Sequence, residues 1–214
     1  MSSVVERVNR CGTTAWQQID LYRFFARIFA PPSHDCFEYL GRPSTGESLR
    51  SLWHYLSAEG EFPNFDWFPT YDLYESAYIA LFDVGLPEPA VPLFESAHDK
   101  SHPAQEIALE NTYFYDILGL KSDPAQGVPD YLITQLEFLA ALSFAQENDP
   151  DQMNLGSLAK AKIDFLERHL LNWLPSLNTK LKRTGAPGFP ELMDLLLQFL
   201  SKERSECHSI VSRA

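Results

Sequence analysis

Residues 13–32, TTAWQQIDLYRFFARIFAPP, restrict what this chain can build more than any other stretch. Apolar side chains recur at positions 15, 19, 22, 26 and 29, the spacing of one face of an α-helix, and Leu21, Phe25 and Ile28 add a second stripe. A helix apolar over so much of its circumference is expected to be largely buried, which requires other elements around it. Thr13 or Thr14 is its candidate N-cap, and Pro31 and Pro32 stop it.

The same period continues. SHDCFEYLG (33–41) restarts with Ser33 as a cap and ends at Gly41, and GESLRSLWHYLSAEG (46–60) reads as a helix closing at Gly60. Proline-rich turns then lead into a helix over Thr70–Phe82. LPEPAVPLFESAHDKSHP (86–103), with four prolines, is expected to be an irregular loop containing one helical turn. Helices follow from Pro103 to Gly119 and over about 129–147, joined by KSDPAQG. The last third gives LGSLAKAKIDFLERHLLNW, LPSLNTKLKRTG and PGFPELMDLLLQFLSKE, all amphipathic and separated by Pro and Gly. No clean period-2 run, hairpin turn or βαβ signature interrupts this pattern. The expectation is an all-α protein: a single globular bundle of about eight to eleven helices over residues 1–214, with a possible subdivision near 119–128.

Charge is unevenly placed. Residues 61–151 carry 17 acidic and two basic side chains, a balance of −15. Residues 1–60 are balanced at six of each, and residues 152–214 hold six acidic and nine basic, so the whole chain carries −12. Such a chain is a poor ligand for nucleic acid or an anionic membrane, both of which require neutralising cations. A concentrated negative field instead steers cationic partners. The three cysteines (Cys11, Cys36, Cys207) form no CxxC and no disulfide framework, which fits a reducing compartment. The opening MSSVVERVNRCG has Glu6, Arg7 and Arg10 where a signal peptide needs an apolar core, and no run approaches the roughly 20 apolar residues of a membrane span. A soluble cytoplasmic protein is expected.

Catalytic motifs are missing: no Walker loop, GxGxxG after a strand, GxSxG or HExxH. The best metal candidate is Glu95, His98 and His102, and Pro103 disfavours the helical backbone that would bring the two histidines onto one face. An ordinary polar loop, with no metal and no cofactor, is the expectation there. Cys36 beside His34 and Asp35 cannot act as a dyad, because sequence neighbours do not face each other on a helix. Cys207 and His208 are expected in an exposed polar tail. The carboxylate pairs Asp72/Glu75 and Glu203/Glu206 are expected on solvated faces. The stripe Tyr71, Tyr74, Tyr78 and Phe82 is mostly core by its spacing, although a tyrosine also suits the lining of a groove.

Four ordered stretches carry a resemblance. They are LYRFFARIFAPPS (21–33), YIALFDVGLPEPAVPLFESAH (78–98), GLKSDPAQGVPDYLITQLEFLAAL (119–142) and FLERHLLNWLPSL (165–177). Together they resemble the TorD/DmsD/NarJ family, the dedicated chaperones of molybdenum-cofactor oxidoreductases. The third is similar to the family signature P-D-H-[LI]-x-x-E-L-E-F-L. Pro129, Asp130, Leu136, Glu137 and Phe138 match it, whereas Tyr131 replaces histidine and Gln135 replaces glutamate. Any role of the family's imidazole therefore does not carry over.

The resemblance implies a non-enzymatic, all-helical protein. It would bind the apo catalytic subunit of a molybdopterin oxidoreductase, or that subunit's basic and apolar twin-arginine leader, and delay export until the cofactor is inserted. Its groove is expected between the 70–82 helix, the 86–98 loop and the start of the 129–147 helix. Tyr78, Leu81 and Phe82 would form the apolar wall. Glu95, Ser96 and Asp130 would form the polar edge, with Pro92 in the loop, Pro129 fixing an exposed helix start and Tyr131 adding an aromatic contact. Asp130 has a local explanation as well, since a carboxylate in a first helical turn is stabilised by about 0.3–1 kcal/mol. The alternative is a metal-dependent helical hydrolase built on Glu95, His98 and His102. The resemblance allows a monomer or a homodimer and does not single out a client.

Overall fold

Five aromatic rings close on one residue near the C-terminal end of the chain. Phe29, Phe68, Tyr74, Tyr78 and Phe82 all lie with ring centroids 5.1–6.3 Å from that of Phe189. In the computed structural model, which describes residues 15–56, 67–86, 88–120, 128–148 and 155–212, this knot fastens the last helix to the first half of the fold. The α-helices among the described residues are α1 (Ala15–Phe29), α2 (His34–Leu40), α3 (Pro43–Tyr55), α4 (Tyr71–Tyr78), α5 (Ala104–Asp116), α6 (Leu132–Glu147), α7 (Leu155–Phe165), α8 (Leu171–Arg183) and α9 (Phe189–Val211). No strand occurs among them. The fold is all-α.

Local chemistry sets the boundaries. Ser33 Oγ accepts the Cys36 amide at 3.2 Å and caps α2, while Thr70 Oγ1 does the same for α4. Pro43 supplies the first residue of α3, three positions earlier than the apolar pattern predicts. Gly119 takes φ 68°, and the next amide, Leu120, donates back to the Tyr115 carbonyl, terminating the α5 segment. Gly188 is required for two reasons: its φ is 88°, and a Cβ there would sit 2.8 Å from the Trp67 ring. The proposed caps at Thr13 or Thr14, the closure at Gly60 and the connector at 121–127 lie outside the described residues.

Helix α1 packs along α6, and α9 lies across α7 and α8. Of positions 132, 133, 136, 139 and 140, whose apolar spacing predicts that they anchor α6, Leu132, Leu136, Leu139 and Ala140 are buried and Ile133 is half-buried. Burial of each such leucine contributes about 1.5–3 kcal/mol. Two π turns, Ile79–Asp83 after α4 and Leu166–Leu170 between α7 and α8, break the regular ladder without ending the chain direction. Helix α8 also runs through Pro175, where a break is expected from the sequence.

Two expectations for the C-terminal helix need correction. Glu203 is not on a solvated face: its carboxylate is buried and pairs with the buried Lys162 ammonium at 2.6 Å. Lys162 also donates to Ser143 Oγ at 3.0 Å, and the Tyr22 hydroxyl donates to Glu203 at 3.1 Å. Cys207 is buried too, because α9 stays helical to Val211 and keeps turning one face to α1, whereas His208 is exposed as expected.

Candidate functional site

The start of α6 and the loop before α5 are joined by their backbones. Leu132 N donates to Leu93 O and Glu95 N donates to Asp130 O, both at 2.9 Å, forming an isolated antiparallel bridge between Phe94 and Tyr131. Asp130 Oδ2 accepts the Ser96 amide at 3.0 Å, and so caps the 3₁₀ turn Glu95–Ala97. A turn of that kind begins with unpaired N–H groups, and a carboxylate is a strong partner for them. The turn places Glu95 inside the protein.

There the Glu95 carboxylate meets three donors from three elements. Asn111 Nδ2 of α5 reaches it at 3.0 Å, Gln135 Nε2 of α6 at 2.6 Å, and His169 Nδ1 of the second π turn at 3.0 Å. Gln135 also donates to Asn111 Oδ1 and accepts the indole N–H of Trp173. The Tyr115 hydroxyl closes the cluster against the Pro129 carbonyl at 2.5 Å. Where the resemblance expects glutamate at position 135, the amide here donates a hydrogen bond. A second carboxylate at that distance would need a shared proton.

The expected site residues are therefore brought together, but with their polar groups turned inward. Tyr78, Leu81, Phe82 and Pro92 are buried core, not an open wall. Glu95 and Asp130 are each only 2% exposed, which overturns the expected polar edge and the expected exposed, charged helix start. Asp130 precedes the N-cap Tyr131 and serves the neighbouring turn in place of its own helix. Ser96, Pro129 and Tyr131 are half-buried. The Tyr78 hydroxyl, with Tyr131 as its neighbour, donates to Phe29 O at 2.9 Å, the last carbonyl of α1. Burial, with the neighbouring Tyr131, pushes the Tyr78 phenol up. On the outer side the Tyr131 ring stacks on Phe94 at 5.0 Å.

The hydrolase arrangement does not assemble. Glu95 is committed to its three donors, His98 Nε2 donates to Pro92 O at 2.7 Å, and His102 pairs with Asp99. Burial against Trp173 pushes the His98 imidazole down to about 4, so it is neutral near pH 7. Among the described residues no group of three His, Cys, Asp or Glu is disposed to hold a metal.

What the pinned loop exposes is apolar. After the π turn, Val84 is 64% exposed and Leu86 fully exposed, with the carboxylates of Asp83 and Glu88 also in solvent. Val91 N donates to Leu81 O at 2.8 Å and ties the far side of this loop back to the π turn. The sequence reading overlooked Val84 and Leu86. The available signal was two aliphatic residues among turn-forming glycine and prolines, where a loop would ordinarily be polar.

A family model described as nitrate reductase delta subunit matches residues 67–179, which include this entire loop, the α6 start and the Glu95 cluster. The chain belongs to that family. This agrees with the resemblance drawn from the four motifs. The chain is similar to a perchlorate reductase assembly chaperone protein of Dechloromonas aromatica, 29% identical over 64% of this chain and 62% of the relative. It is also similar to a selenate reductase assembly chaperone protein of Thauera selenatis, 32% identical over 58% of this chain and 69% of that one. A third relative is the chaperone protein TorD of Vibrio cholerae, 32% identical over 35% of this chain and 34% of TorD. The chain thus spans less than two thirds of the length of the first of these relatives. Among the described residues of this family member, no helix is long and apolar enough to cross a membrane.

Proposed function

We propose that this protein is a dedicated cytoplasmic assembly chaperone, not an enzyme, for the catalytic subunit of a molybdopterin oxidoreductase. We further propose that it captures that subunit's basic and apolar twin-arginine leader. The observation that carries this reading is the family match over residues 67–179, together with relatives named as assembly chaperones of perchlorate and selenate reductases. The chemistry of the loop is consistent with it. Val84 and Leu86 offer apolar surface to the leader's hydrophobic stretch, and Asp83 and Glu88 lie alongside for its arginines. Tyr131, stacked on Phe94, and the buried Glu95 cluster hold the 93–98 segment that follows.

The test is a calorimetric titration with the leader of the molybdoenzyme encoded beside the protein, paired with retention of the co-expressed apoenzyme. Saturable binding at micromolar concentration is expected. Leu86→Asp with Val84→Asp should weaken it about tenfold or more, as loss of an apolar anchor does, while leaving the melting temperature unchanged. Absence of heat together with absence of retained enzyme would overturn the reading.

A further inference from the structure

Helix α5 is apolar on both sides. Its inner side (Ile107, Asn111, Tyr115) faces the core, yet its outer side carries Leu109, Tyr113 and Ile117, which are 52%, 63% and 51% exposed. These three recur every four residues and so form one ridge along the helix. Tyr113 and Ile117 border a shallow depression completed by Phe114, Glu110 and Arg168. A solvent-facing helix side is ordinarily polar, and a continuous apolar ridge of this kind marks a contact surface.

The charges beside the ridge indicate what covers it. α5 contains Glu106, Glu110 and Asp116 and no lysine or arginine. Arg168, which approaches from the second π turn and lies over the Phe114 ring at 6.0 Å, is neutralised by its ion pair with Glu110. Glu106 and Asp116 stay exposed, so the flanks are net negative. A second copy of this chain would bring like carboxylates together. An anionic lipid surface would be repelled in the same way. We infer that the outer side of α5 is a docking surface for a basic amphipathic helix of a partner protein, with aliphatic residues at i, i+4 and i+8 and lysines or arginines beside them. This surface lies on a different element from the Val84–Leu86 rim, and its existence does not depend on leader capture.

The test uses the full-length protein and a synthetic helical peptide of leucines at that spacing flanked by lysines. Binding is followed by amide chemical-shift mapping and fluorescence anisotropy. The expected result is saturable binding with shifts concentrated on residues 104–120. Tyr113→Glu with Ile117→Glu should weaken it about tenfold or more, and so should replacing the peptide's lysines with glutamates. Both substituted residues are exposed, and an unchanged melting temperature verifies the fold. Undetectable binding, shifts centred elsewhere, unaltered affinity of the double variant, or a concentration-dependent dimer lost in that variant would each overturn the assignment. Leader capture is read separately through Val84 and Leu86, so failure of one leaves the other standing.

Discussion

Glu95 and Glu203 are two buried carboxylates solved in different ways. Glu203 has one strong cationic partner, Lys162, with Tyr22 on the same oxygen, and its other oxygen, Oε1, has no donor among the described residues. Glu95 is surrounded by Asn111, Gln135 and His169, and both its oxygens are used. The first is an ion pair that joins α7 to α9. The second is a hub whose donors come from α5, α6 and the second π turn, and Glu95 itself stands on the segment that follows the exposed Val84 and Leu86 in the chain. A pair of opposite charges can be exchanged for apolar side chains, whereas a hub of amides cannot be replaced by one substitution.

The largest effect should come from splitting the pair. Lys162→Met leaves an uncompensated buried carboxylate and is expected to cost about 3–5 kcal/mol. Adding Glu203→Leu should recover most of that loss. Denaturant unfolding of the single and double variants measures the recovery, and its absence would mean that Tyr22 and Ser143 contribute more than the charge pair does.

Breaking the hub should cost somewhat less but resist rescue. Glu95→Ala strands donors on Asn111, Gln135 and His169, for an expected loss of about 2–4 kcal/mol. His169→Ala in the same background should not restore it. Hydrogen exchange should show the 91–98 segment opening before α7 and α9. Uniform loss of protection would contradict a local role for Glu95.

A pH dependence follows from His98, which packs beside the hub on Trp173. Its folded value, about 4, lies below the ordinary imidazole value of 6.5. Above pH 6.5 neither state takes the proton, and the stability linked to this group is fully present. As pH falls from 6.5 toward 4 the unfolded chain is protonated while the folded ring resists, so stability is lost. After discounting for the ring's partial solvent access, the loss is about 1–2 kcal/mol. His98→Gln should flatten the difference between melting curves at pH 7 and pH 5. The ring is faced by Lys100, Lys180 and Glu88, all of which are unchanged in that variant.

What was legible in the sequence and what was not divide along contact range. The Ser33 cap, the Pro31–Pro32 stop and the apolar stripe of α6 are local, and each appears in the structure as read. The burial of Glu95 depends on His169, 74 residues away, and that of Glu203 on Lys162, 41 residues away. Three-residue spacing made Glu203 and Glu206 look like a solvated pair, because periodicity identifies a face without saying what covers it. The π turns were invisible for a related reason. An extra residue in a turn changes which side chains face inward without changing composition, and Leu166–Leu170 uses that shift to deliver His169 to the hub. The motifs name nine candidate site residues, but a motif does not state whether a carboxylate points outward or caps a turn.

The smallest effect sharpens the comparison at the rim itself. Tyr131 sets its phenol beside that of Tyr78, which bonds to α1, while its ring stacks on Phe94. Tyr131→Phe removes the hydroxyl and keeps the ring. Tyr78 retains its bond to Phe29 O, so the expected loss of stability is about 1 kcal/mol. Tyr131→Ala also removes the stacking on Phe94 and should loosen the bridge that positions the exposed loop. If the rim is held by ring packing, leader affinity should be near normal in Tyr131→Phe and reduced in Tyr131→Ala. Equal affinities in both variants would instead assign the rigidity of the loop to the Glu95 hub and to the Asp130 cap beneath it.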